Sequence, residues 1–209
     1  MLSFIISSCS PITKKHASGA KPLLKMANGD SLLQYQISVI KREFPDSEII
    51  LTVGFEADKV IKHARGVRII ENRDFKNNHS EDIRLALNAM AGDEVMYISG
   101  DMIFNKSALG IINGHSALLI DNHSTMEKDD VGVSVVDDLV TIISYGIDSP
   151  KWSRMAFFTK KDTELIKNIL NEKQSSKKMF FEIINELIDT EYRSMRAVEP
   201  KNTEIKVYS

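Results

Sequence analysis

The chain has one cysteine, Cys9, which excludes an internal disulfide framework and fits a reducing compartment. It has no excess of either charge: 27 basic and 29 acidic side chains leave a net charge of −2. A dedicated nucleic-acid binder usually carries a basic stripe, so no nucleic-acid partner is expected. No apolar run approaches the ~20 residues that cross a bilayer. The opening stretch LSFII is too short for a signal-peptide core and follows no basic residue. A cytoplasmic protein without membrane attachment is expected. There is no internal repeat and no low-complexity tract.

What is present is an ordinary globular composition. The 209 residues are 43% hydrophobic and 27% charged. A chain of this size can bury roughly 70% of its unfolded surface, enough for one full core. A single domain over residues 1–209 is expected.

The spacing of apolar residues predicts the elements. Leu2–Ser7, Glu48–Val53, Val67–Glu71 and Glu94–Ser99 are short apolar runs that predict buried strands. Between them, Ser31–Phe44, Glu56–Ala64 and Ser80–Met90 predict helices. Ser31 or Asp30 supplies an oxygen cap to the first of these, and Pro45 stops it. Strands alternating with helices through short connections predict a mostly parallel sheet with helices on both faces. The second half changes character. His115–Asp121, Val131–Val136, Leu139–Tyr145 and Met155–Phe158 predict strands, with Asp137-Asp138 as a hairpin turn. Helices at Lys161–Leu170 and Lys178–Asp189 follow, separated by the polar stretch NEKQSSKK. Two last strands are expected at Ser194–Val198 and Glu204–Tyr208.

Open α/β sheets bind ligands outside the carboxyl ends of their strands. Ser7, Ser8, Cys9, Ser10 and a lysine-bearing loop with Lys14, Lys15 and Lys21 follow the first strand. Gly54 and Phe55 follow the second, and Glu71, Asn72, Asn77 and Asn78 the third. Gly100 and Asp101 follow the fourth. A carboxylate beside a glycine at a strand end suits a hard cation such as Mg²⁺, which takes one or two carboxylates plus phosphate oxygens. Plainer roles stay open for each. Asp101 is equally a turn or cap residue, the lysines are equally solvated, and the asparagines are common in turns. The five histidines show no ligand spacing, Cys9 has no evident histidine partner, and Trp152 and Phe157 suit packing.

Taken in order, FIISS at 4–8, KPLL at 21–24, TVGF at 52–55, NRDF at 72–75 and SGDMIF at 99–104 form an ordered set. With them the sequence resembles the nucleotidyltransferases of GT-A-like fold, which join a nucleoside triphosphate to a sugar phosphate or to phosphocholine. The order of the second half is similar to the smaller choline-phosphate cytidylyltransferase-like members. The resemblance spans nearly the whole chain. It implies a Rossmann-like GT-A three-layer sandwich around a mixed, mostly parallel sheet. It also implies a nucleotide-binding half at 1–112 and an acceptor-binding half at 113–209. Lys21 would steady charge at the α-phosphate, Asp101 would hold Mg²⁺, and the acceptor phosphate would be its own nucleophile. Nucleotide contacts would come from Ser7, Ser8, Cys9, Ser10, Lys14, Lys15, Gly54, Asn78 and Gly100. Acceptor contacts would come from Asn72, Asp82, Asp121, Trp152 and Lys206. CTP or UTP is favoured as donor, and a homo-oligomer stays open.

The sequence departs from the family pattern twice. The family's first loop reads close to AAGxGTR, whereas Ser7-Ser8-Cys9-Ser10-Pro11 has no glycine before Gly19 and no clear arginine. Glycines there let backbone N–H groups reach phosphate. Near the end, Lys206 in Glu204-Ile205-Lys206-Val207 stands where the family carries a metal-binding Asp. Lys206 would then pair with Asp101 or grip phosphate without metal. A glycosyltransferase using a nucleotide sugar and a catalytically degenerate binding protein are the alternatives.

Overall fold

The computed structural model describes residues 1–9, 19–76 and 80–208. Four strands, β1 (Leu2–Ser8), β2 (Glu48–Val53), β3 (Arg68–Glu71) and β4 (Glu94–Ser99), run parallel in the order β3-β2-β1-β4. The inner strands are buried on both faces, which is why they read as continuous apolar runs and not as alternating ones. Helices α1 (Leu32–Glu43), α2 (Ala57–His63) and α3 (Glu81–Ala89) are their crossovers.

Helix α1 begins where its chemistry says it must. Ser31 Oγ accepts from the Gln34 amide at 3.2 Å, and Gln34 Oε1 accepts from the Ser31 amide at 3.1 Å. This capping box satisfies two N–H groups that no helical carbonyl can reach. The buried residues Leu32, Leu33, Gln36, Val39 and Ile40 form one stripe.

The sheet continues as β9-β6-β10-β8-β7. These strands are β6 (Ala117–Asp121), β7 (Val131–Val136), β8 (Leu139–Tyr145), β9 (Lys151–Phe158) and β10 (Arg196–Val198). Asp137 and Asp138 make the β7–β8 hairpin with φ of 50° and 63°, the left-handed backbone that tight hairpin turns need. The β6–β10 pair is parallel, whereas β4–β9, β9–β6, β10–β8 and β8–β7 are antiparallel. The sheet is therefore mixed, and the parallel arrangement predicted for most of it is concentrated in the first half. Helices α4 (Lys160–Asn171) and α5 (Phe180–Thr190) complete the second half.

Successive residues of β1 enter opposite cores. Phe4 and Ile6 pack with Leu33, Val39, Ile40 and Val60 of α1 and α2. Ile5 packs on the other face with Ile83, Leu87, Ile166 and Ile184 of α3, α4 and α5. A second, two-stranded sheet pairs β5 (Met102–Phe104) with β11 (Ile205–Val207). The sequence pattern had no strand at β5. No helix among the described residues is long and apolar enough to cross a membrane.

Candidate active site

The C-terminal ends of β1 and β4 converge on the Gly100-Asp101 turn. The Gly100 amide donates to the Ser7 carbonyl at 2.6 Å. A Cβ on Gly100 would lie 2.6 Å from that carbonyl oxygen and would also strike the Ser8 hydroxyl, so only glycine allows the approach. Gln36, fully buried on α1, holds the turn from behind. Its Nε2 donates to the Ser99 carbonyl at 2.9 Å and the Met102 carbonyl at 2.8 Å. From the far end of the chain, the Tyr208 amide donates to the Asp101 carbonyl at 2.7 Å.

The Asp101 side chain is fully engaged. Its Oδ1 accepts from the Ser99 hydroxyl at 2.6 Å. Its Oδ2 takes two cations, Lys21 Nζ at 3.1 Å and Arg154 Nη1 at 2.8 Å. Lys21 reaches it from a 3₁₀ turn, Lys21–Leu23, which is anchored by the Ala20 amide donating to Glu56 Oε2 at 3.0 Å. Two cations on one carboxylate leave a net positive charge in a nearly buried place, where Coulomb interactions are weakly screened.

Arg154 is the residue that the sequence reading missed. A strand from Met155 is expected, and β9 begins four residues earlier, at Lys151. Leu118 pairs with Ala156 and Ile120 with Trp152, so β9 takes four steps where β6 takes two. Arg154 lies in this bulge with φ of 56°. Bulges re-aim side chains, and this one turns Arg154 toward Asp101. A lone arginine inside W-S-R-M-A-F-F was the available signal.

Two cavities share Lys21, Asp129 and Arg154. One, of about 290 Å³, adds Ser7, Ser8, Gly100 and Asp101 at its polar end and Tyr97, Tyr145, Trp152, Phe180 and Phe181 as aromatic wall. The other, of about 680 Å³, is polar and includes Asp121, Asp130, Lys151, Ser153 and Lys206. Burial pushes the Tyr97 phenol well above its ordinary range, so it stays a neutral hydrogen-bonding group.

The candidates from the sequence therefore divide. Ser7, Ser8, Lys21, Gly100, Asp101 and Trp152 meet around the first cavity, and Lys21, Asp121 and Lys206 around the second. Lys206 does not supply Asp101's counter-charge. Its ammonium lies over the Tyr208 ring, 5.1 Å from the centroid. The Asp121 carboxylate accepts from the His123 and Ser124 amides at 2.8 and 3.0 Å, closing a turn at the cavity rim. Asn72 lies at the end of β3, where its amide donates to the Val53 carbonyl and its Oδ1 accepts from the Asp74 amide. Its buried Nδ2 and the buried Ser8 Oγ have no partner among the described residues. Gly54 admits the Phe75 ring, which a Cβ would meet at 2.8 Å. Ser10, Lys14, Lys15 and Asn78 lie outside the described residues.

Asp82 and Cys9 are placed differently from the sequence expectation. Asp82 is buried under the site, where its Oδ2 accepts from Ser7 at 2.5 Å and Thr52 at 3.1 Å. It supports Ser7 and does not face a cavity. Cys9, expected at the nucleotide, is buried and lines neither of the two cavities, and burial, then the Asp82 charge, pushes its thiol far above the ordinary range.

Asp82 carries a pH prediction. Burial raises its carboxyl above the ordinary 3.8, outweighing the Ser7 and Thr52 hydrogen bonds that lower it. The folded state thus holds this proton more tightly than the unfolded chain. Stability from this group is present below the ordinary value and is lost as pH rises through the raised one. Asp82→Asn does not ionise. Its melting temperature relative to the parent is expected to rise with pH once pH exceeds the ordinary value of 3.8. A gap that stays constant with pH would show that Asp82 ionises alike in both states.

This arrangement is similar to that of several solved structures. The inositol-1-phosphate CTP transferase from T. maritima superposes with a TM-score of 0.77 at 14% identity, over 99% of this chain and 88% of that one. The CTP:phosphocholine cytidylyltransferase of Streptococcus pneumoniae gives 0.74 at 17% identity, over 99% and 93%. A putative glucose-1-phosphate thymidylyltransferase from Bacillus anthracis gives 0.76 at 16%, over 99% and 89%. This is the nucleotidyltransferase fold. No family model and no curated protein matches the chain. At such identities the likeness establishes the fold, and the chemistry must be argued from this chain's own residues.

The Mg²⁺ that the nucleotidyltransferase fold implies has a poor donor set here. Both Asp101 oxygens are engaged, and a cation on Oδ2 would sit against the Lys21 ammonium and the Arg154 guanidinium. No group of three His, Cys, Asp or Glu residues is arranged to hold a metal among the described residues. Lys206, where the family resemblance implies a second carboxylate, offers no oxygen ligand.

Proposed function

We propose that the protein transfers a nucleotidyl group from a nucleoside triphosphate to a small phosphorylated acceptor and releases pyrophosphate. The observation that carries this is the Lys21–Asp101–Arg154 cluster, whose two cations line both cavities. The reaction needs no general base, because a phosphate monoester dianion is already a nucleophile. One of its oxygens bonds to the α-phosphorus, the bond to the β-phosphate oxygen breaks, and pyrophosphate leaves with that electron pair. Two anions must be aligned and the charge on the α-phosphoryl oxygens stabilised. Lys21 and Arg154 offer fixed positive charge for that purpose, held by Asp101 before substrate arrives.

The aromatic cavity supports an acceptor of phosphocholine type over a sugar phosphate. Its wall of Tyr97, Tyr145, Trp152, Phe180 and Phe181, completed by Ile83, Val131 and Met179, has few groups to satisfy ring hydroxyls. Aromatic faces attract a quaternary ammonium instead, by about 0.5–2 kcal/mol each when water is excluded. The phosphate end of such an acceptor would point to Lys21 and Arg154. CTP or UTP is favoured as donor, supported by the CTP-using proteins among the structural neighbours.

Thermal shift against CTP, UTP, ATP, GTP, CDP-choline and UDP-glucose tests this reading. A ligand at about 100 times its dissociation constant stabilises by about 2.7 kcal/mol. A shift with one pyrimidine triphosphate is expected, and pyrophosphate release on adding phosphocholine but not glucose 1-phosphate. A shift with UDP-glucose alone would support the glycosyltransferase alternative. No shift with any nucleotide would support a protein that keeps the fold without the reaction.

A further inference from the structure

We propose that Arg154 and Lys21 together form a metal-independent phosphate-binding centre, so that this protein binds its nucleotide without a divalent ion on Asp101. The inference rests on the nucleotidyl-transfer reading and specifies how that site neutralises charge.

Four observations lead to it. First, both oxygens of the Asp101 carboxylate are engaged, by a hydroxyl and two cations, and no group of three metal-ligating side chains stands among the described residues. Secondly, Arg154 stands on left-handed backbone inside a strand, at φ of 56°. For a residue with a side chain that conformation is strained, and glycine would adopt it freely. The bulge and the strain together put one guanidinium 2.8 Å from the carboxylate that the fold would otherwise use for metal. Thirdly, the guanidinium is not consumed by this pair. Only Nη1 contacts Asp101, and Arg154 lines both cavities, so the rest of its donor fork is available to phosphate oxygens. Fourthly, Lys206, whose ammonium rests over the Tyr208 ring, lines the polar cavity as well.

Two of the acidic groups nearby are already held. Asp130 is paired with Lys151 at 2.7 Å, and Asp121 is closed on its own turn. Asp129 lines both cavities and Glu127 the polar one, and both are exposed, where water screens their charge. The two fixed cations replace the charge a metal would bring, and the step stays balanced. An acceptor dianion and a triphosphate tetra-anion give a diester diphosphate dianion and pyrophosphate, with no proton gained or lost.

Calorimetric titration of the full chain with CTP, in excess EDTA and in excess Mg²⁺, tests the proposal. The expected result is binding in EDTA within about threefold of that in Mg²⁺. Arg154→Gly removes the guanidinium and relieves the backbone, so it is expected to keep a cooperative melt. It should lose about 10- to 100-fold of the EDTA affinity, the size of a charge-assisted hydrogen bond. Arg154→Lys should recover part of that loss, which a purely structural arginine would not predict. Binding that appears only with Mg²⁺, or Arg154→Gly binding CTP in EDTA as the parent does, overturns the proposal. Absence of CTP, UTP, ATP and GTP binding in both buffers has a different meaning. It removes the nucleotide reading itself, and the metal-independent centre with it.

Discussion

Replacing Lys21 with Ala is expected to lower pyrophosphate release by about 10²–10³-fold, the usual cost of removing one preorganised donor from a developing oxyanion. The ammonium is nearly buried, 3.1 Å from Asp101, and lines both cavities. Its charge therefore acts where water screens it least. The fold should survive, because Asp101 keeps Arg154 and Ser99 as partners. Lys21→Met separates charge from bulk, since it fills similar space without the ammonium. If the methionine variant turns over like the parent, Lys21 is only a packing residue. If it matches the alanine variant while melting near the parent temperature, the charge is the working part. The measurement is a continuous pyrophosphate assay beside a melting curve.

Asp101→Ala is expected to cost stability instead, by about 3 kcal/mol. It leaves Lys21 and Arg154 facing each other with no counter-ion, and an unpaired buried charge is costlier than its pair was useful. Because the Arg154 side chain is 29% exposed and can turn to water, the lower end of the usual range applies. For a domain of this size the melting temperature should fall by roughly 10 °C. The double variant Asp101→Ala with Lys21→Met removes the repulsion and should regain much of the loss. A single variant that melts like the parent would mean that the cluster is solvated and contributes little to folding.

The parallel half of this fold was legible in the sequence because its physics is local. Buried parallel strands give uninterrupted apolar runs, and Ser31, Gln34 and Pro45 mark the bounds of α1 within a few residues. The site was legible to the same depth, since Lys21, Gly100 and Asp101 follow elements that announce themselves. What was hidden depends on distant pairing. Arg154 acquires its position from a register shift against β6, more than thirty residues upstream, and no local pattern encodes a bulge. The aromatic wall was hidden for a related reason. Tyr97, Trp152 and Phe180 come from β4, β9 and α5, and each alone looks like core. Asp82 misled in the opposite sense. A carboxylate at the start of a helix beside a candidate loop looks exposed, yet Ser7 and Thr52 bury it.

Strand β9 lies between β4 and β6, and its sequence comes after both. A growing chain that has made only the first six strands therefore cannot close its sheet. The open edge of β4 offers unpaired N–H and C=O groups along an apolar strand until residues 151–158 arrive and insert. That interval is when a neighbouring nascent chain can pair with it, so aggregation during synthesis should respond to translation speed through this segment. The late insertion also delivers Arg154, so the β4 edge is closed and the arginine of the site is installed in the same event.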